Sequence, residues 1–189
     1  MTKLPIRGVL FDKDGTLLDF DATWPPAYRA VAEELASLAG DPGLASRILR
    51  LGGYGEGGAL DPASVFACGA TSEIVEFCVG LPELRGIAGI AERAEGVFTR
   101  FGERGPPAVD DLAGLLEGLR RRGLRLGLAT NDSIASTRAW LAYNDFEELR
   151  SEEHTSELQS RRNLVCRRRL EKKNTPHTYL LYSAYSYPP

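Results

Sequence analysis

The chain has 189 residues, with 23 Lys and Arg against 26 Asp and Glu and a net charge of −3, a length that allows one domain plus a smaller inserted one. Cys68, Cys78 and Cys166 make an odd count without metal-ligand spacing, so neither a disulfide framework nor a zinc site is indicated. Asp12 interrupts the N-terminal apolar run and no later stretch is long enough to span a membrane, so the expectation is a soluble cytoplasmic protein.

The first predicted element is a strand. Ile6, Val9, Leu10 and Phe11 form a short β-rich apolar run that ends in Asp-Lys-Asp-Gly. If the strand stays extended through residue 14, alternation sets Asp12 and Asp14 on one side and Lys13 on the other. One reading of Asp14-Gly15 is a tight hairpin turn between two strands. A calcium loop also starts D-x-D, but it needs Gly at its sixth place and Glu at its twelfth, where this chain has Leu17 and Thr23. The third reading is phosphoryl transfer. One carboxylate attacks phosphorus and forms an acyl phosphate, and the second protonates the leaving alkoxide and then deprotonates the attacking water. Both carboxyls, with ordinary pKa values of about 3.9, are ionised at neutral pH. Such a pair needs a divalent cation to set their proton affinities apart.

The stretch "FDKDGTLLD" resembles the first signature of the haloacid dehalogenase (HAD) superfamily, apolar strand followed by D-x-D-G-T-[LV], without interruption from Val9 to Asp19. The resemblance implies an α/β, Rossmann-like core with an inserted helical cap. It assigns Asp12 as nucleophile and Asp14 as acid/base, with Mg²⁺ held by the Asp12 carboxylate and the Asp14 carbonyl. An acid at position 14 favours a phosphatase over a true dehalogenase.

An insert of helical character follows, over residues 21–107. Helices are predicted over residues 25–38, 44–51, 62–68 behind an Asp61 cap, 71–79 and 82–101, with "GGYGEGG" and "GERGPP" as turn-rich links. In the family such an insert is a mobile cap that closes over the phosphate and selects the substrate. The same helices also suit a subdomain that only packs.

Residues 108–149 return to helix, strand, helix. Leu112, Leu115, Leu116 and Leu119 recur at helical spacing, with basic residues in the last turn and Gly123 as stop; "LRLGLA" reads as a strand, and residues 134–143 as a helix. In the "TNDS" between them, Asp132 or Ser133 suits a helix cap. At this distance from the first motif the segment also resembles the family's second motif, apolar strand then [ST]-N. Thr130 would then bind a phosphoryl oxygen through its hydroxyl, and Asn131 another through its backbone N–H. Both motifs fall at the carboxyl ends of strands, where open α/β sheets bind ligands.

The family further requires a phosphate-neutralising lysine and a late acidic pair, each after a further strand, and nothing after Tyr143 reads that way. Lys13 on the opposite face and Lys3 before the strand are poor substitutes. Residues 150–189 instead carry eight Lys and Arg against four Glu, while residues 1–149 carry 15 against 22 acidic side chains. "RSEEHTSELQS", residues 150–160, resembles the translation of a common short-read sequencing adapter. "LVCRRRLEKK", residues 164–173, continues it with departures at Arg168 and Arg169. On this reading the tail is non-native, native sequence ends at or just before Leu149, and His154 and His177 are no ligands. The other readings are a basic arm for nucleic acid or anionic membrane, with Tyr179, Tyr182, Tyr185 and Tyr187 stacking on bases.

Together these readings give a parent protein that is a Mg²⁺-dependent, phosphoglycolate phosphatase-like phosphomonoesterase acting on a small phosphorylated metabolite. It has no nucleic-acid or membrane partner. The core is incomplete, with its first two strands only, an open edge on the first and little or no turnover in this chain. The alternatives are a sugar-phosphate phosphotransferase (mutase) using the same Asp12 and Asp14, and a non-catalytic binding fragment.

Overall fold

The computed structural model describes residues 6–130, 132, 134–146 and 179–182. In chain order the elements are β1 (Gly8–Asp12), α1 (Phe20–Ala39), α2 (Gly43–Gly52), α3 (Val65–Cys68), α4 (Thr71–Val79), a 3-10 turn (Pro82–Leu84), α5 (Ile90–Arg104), α6 (Leu112–Arg121), β2 (Arg125–Ala129), α7 (Ile134–Tyr143) and β3 (Tyr179–Tyr182). They fall into two compact units: Phe20–Pro106 is one, and the described residues before and after it form the other.

The discontinuous unit is α/β. β1 and β2 run parallel, with Gly8 opposite Arg125 and Asp12 opposite Ala129. Val9 and Phe11 of β1 are in register with Leu126 and Leu128 of β2, and all four are buried, so the period of two turns one face of the pair into core. α6 packs on β2 and buries Leu112 and Leu116. It starts where the Asp111 carboxylate accepts the Gly114 N–H at 3.0 Å, and the chain leaves it through Gly123 at φ 79°. Trp140 and Leu141 of α7 and Phe146 complete the buried side, with the Trp140 and Phe146 rings 5.7 Å apart.

The other edge of β1 differs from expectation. β3 pairs with it in parallel, Gly8 opposite Tyr179 and Phe11 opposite Tyr182, giving the order β2-β1-β3. The sequence reading gives the tail no regular element and leaves this edge open. An unpaired edge is a row of free N–H and C=O groups, and "YLLY" is a tetrapeptide of residues that favour extended backbone.

The Phe20–Pro106 unit is helical. α1 packs against α2 and α5 and buries Trp24, Ala27, Tyr28, Val31, Ala32 and Leu35, a stripe at helical spacing. The Tyr28 ring stacks on Phe66 at 4.4 Å, its hydroxyl donates to the Phe66 carbonyl, and Phe98 of α5 meets it edge-on at 6.1 Å. Three elements depart from their predicted spans. α1 begins at Phe20 and carries Pro25 and Pro26 within it, since the rest of a buried helix outweighs two lost N–H groups. The helix after Asp61 starts only at Val65, because Ser64, whose hydroxyl accepts the Ala67 N–H at 3.3 Å, is its cap, while Asp61 holds the Ala63 N–H at 2.9 Å. The helix expected over residues 82–101 is broken by Gly86 and Gly89, at φ 81° and 77°. Among the described residues no helix is long and apolar enough to cross a membrane.

Candidate active site

β1 ends at Asp12 because the next carbonyl turns inward. Lys13 O accepts the N–H groups of Leu17 and Leu18 at 2.9 Å and of Thr16 at 3.3 Å, and Gly15 N donates to Leu18 O at 2.9 Å. That knot requires φ 78° at Gly15, a left-handed conformation that glycine adopts without penalty. The chain then reaches Leu18, which bridges to Pro107, and Ala108 N donates to Leu17 O at 2.8 Å.

Asp12 Oδ1 accepts the Lys13 N–H at 2.9 Å. Burial, and then the charge of Asp14, push the Asp12 pKa from its ordinary 3.8 to about 6, against the weaker opposing effects of that N–H and the Lys13 ammonium. Thr130 follows Ala129, the residue opposite Asp12, so the register sets the Thr130 and Asp12 backbones at the same end of adjacent parallel strands. Thr130 Oγ1 accepts the Asp132 N–H at 3.1 Å. Asn131 and Ser133 lie outside the described residues.

Lys13 overturns the expectation drawn from alternation. The strand has already ended, so its side chain is not sent to the far face. Its Nζ lies 3.2 Å from Asp14 Oδ1 and 3.0 Å from Asp132 Oδ2. Lys13 is wholly buried, with the Asp14 and Asp132 side chains 29% and 8% exposed. Desolvation drives the Lys13 pKa down, but the charges of Asp14 and Asp132, with hydrogen bonds to both, outweigh it and the net shift is upward. Asp132 Oδ2 also accepts from Ser136 Oγ at 2.8 Å. Sequence reasoning therefore missed two members of this cluster. Lys13 was misplaced by extending the strand two residues too far, through residue 14 instead of to Asp12, and Asp132 reads equally well as a simple cap.

The cluster holds carboxylates, a hydroxyl and one ammonium, and among the described residues there is no histidine. Hard oxygen donors fit a cation such as Mg²⁺ in kind, and a cation would offset the burial and the Asp14 charge that together hold the Asp12 pKa high. Among the described residues no group of three or more His, Cys, Asp or Glu is gathered to hold a metal.

Against known proteins, the family model for haloacid dehalogenase-like hydrolase matches residues 6–160. No curated protein matches the chain. Among solved structures, CbbY from Rhodobacter sphaeroides, in complex with phosphate, is 22% identical over 74% of this chain and 57% of its own, with a TM-score of 0.40. A HAD family hydrolase from Deinococcus radiodurans R1, with bound phosphate and sodium, is 17% identical over 81% and 58%, with a TM-score of 0.44. A predicted phosphoglycolate phosphatase from Haemophilus somnus 129pt is 15% identical over 76% and 60%, with a TM-score of 0.45. The chain thus spans less than two thirds of each of these proteins.

Proposed function

The chain belongs to the haloacid dehalogenase-like hydrolase family, and from that premise we propose that its site is that of a Mg²⁺-dependent phosphatase of small phosphomonoesters, phosphoglycolate among them. The observation that carries this reading is Asp12 itself: a half-buried carboxyl at the end of the central strand, its pKa raised by burial first and by Asp14 second, with Thr130 just past the end of the adjacent strand.

Asp12 is the nucleophile. Its carboxylate oxygen attacks phosphorus, the ester P–O bond breaks, and the Asp14 carboxyl gives its proton to the leaving alkoxide. Asp14 then takes a proton from water as that water attacks phosphorus, the P–O bond to Asp12 breaks, and phosphate leaves with Asp12 restored. Thr130 orients a phosphoryl oxygen through its hydroxyl, with the Asn131 N–H holding another. The Asp12 carboxylate and the Asp14 carbonyl would hold Mg²⁺, which would supply charge neutralisation at the phosphoryl group.

Turnover by this 189-residue chain is low on the same reading. Lys13 is the only lysine among the described residues, and two carboxylates already claim its ammonium. Calorimetric titration with Mg²⁺ and Mn²⁺, beside phosphate release from 2-phosphoglycolate and other small phosphomonoesters, tests both halves. The expected result is metal binding that Asp12→Asn removes, with turnover near background. Turnover that disappears in Asp12→Asn keeps the site and overturns the inactivity; metal binding that Asp12→Asn leaves unchanged overturns the site. A long read of the source DNA across codon 149 tests the adapter-like tail, and any continued frame supplies the protein for the same assay.

A further inference from the structure

We propose that Lys13 and Asp132 are positioning residues: a buried strap that fixes the loop after β1 against the loop after β2. The last rung of the β1–β2 ladder is Asp12 opposite Ala129, and beyond it, among the described residues, no further ladder pair holds the two loops in register. The Lys13 ammonium takes over there, 3.2 Å from Asp14 on its own loop and 3.0 Å from Asp132 on the other. Each end of the strap is itself tied down. Three N–H groups converge on the Lys13 carbonyl, and Asp132 is held through its own N–H to Thr130 Oγ1 and through its carboxylate by Ser136. One connected path therefore runs from Thr130 through Asp132 and Lys13 to Asp14. A wholly buried ammonium is costly unless charged partners surround it, so a pair of this kind specifies geometry more than it adds stability. That the strap aligns a catalytic site rests on the phosphatase reading; the strap itself does not.

The competing role for Asp132 is local, ordering the start of α7 through Ser136. Amide hydrogen exchange by NMR on the full chain separates the two. Asp132→Asn keeps the shape and a hydrogen-bonding oxygen and removes the charge; Ser136→Ala removes the local contact and keeps the strap. The strap requires Asp132→Asn to speed exchange at Thr16, Leu17 and Leu18 about tenfold or more, the loss of a charge-assisted bond. The ladder amides of Leu10 and Leu128 keep their rates, and Ser136→Ala leaves residues 16–18 unchanged. Acceleration confined to residues 130–136, or equal acceleration in the ladder, overturns the strap. Failure of the phosphatase reading would show instead in the metal titration and leave this exchange pattern intact.

Discussion

The Asp12 carboxyl sits where its neutral form is favoured, by burial first and by the Asp14 charge second, with a pKa of about 6. A raised folded-state pKa means the folded chain binds the proton more tightly than the unfolded one. The stabilising contribution is then complete below about pH 3.8 and is lost as pH rises through about 6. Asp12→Asn, measured in metal-free buffer, is therefore expected to be more stable than the parent by about 1–3 kcal/mol at pH 7.5, with the gap closing by pH 4. Chemical denaturation at the two pH values checks it, and a gap that persists at pH 4 refutes the titration as its cause. Asp12 and Asp14 were legible because a linear motif carries them. Lys13 was not, since its direction depends on three N–H groups turning its carbonyl inward, and no alternation rule contains that knot.

Helix starts and stops obeyed their local chemistry more closely than periodicity suggested. α6 was visible from its leucines and from Gly123, and its start is held by one side-chain bond, Asp111 to Gly114 N. Asp111→Ala is expected to cost about 1 kcal/mol of stability, a Tm shift of several degrees by calorimetry, while Asp111→Asn costs less. The predicted helix over residues 82–101 shows the opposite case. Its apolar spacing continues through Gly86 and Gly89, but both residues take left-handed backbone there, so the chain turns between Leu84 and Ile90. Likewise Asp61 and Ser64 are both good caps on paper, and the side-chain bond to Ala67 N decides for Ser64.

At the scale of the whole molecule, the sheet has β1 at its centre only because β3 covers one edge. The tail's contribution was illegible in sequence because four residues of apolar and aromatic character are too few to distinguish from coil, and it is the edge that selects them. Ending the chain at Leu149 removes β3 and is expected to raise the mass seen by light scattering and to lower Tm relative to the full chain. An unchanged mass and Tm would show that β3 adds nothing to β1. Within the α/β unit, the two stretches that flank residues 20–106 in sequence are joined: Leu18 bridges Pro107, and Leu17 O accepts the Ala108 N–H at 2.8 Å. The two cut points are already neighbours, so a turn of about two to four residues is long enough to join them. In the gene, the segment for residues 20–106 is therefore expected to behave as a cassette, one that can be exchanged or excised in a single splice while the Leu17–Ala108 hydrogen bond stays in place.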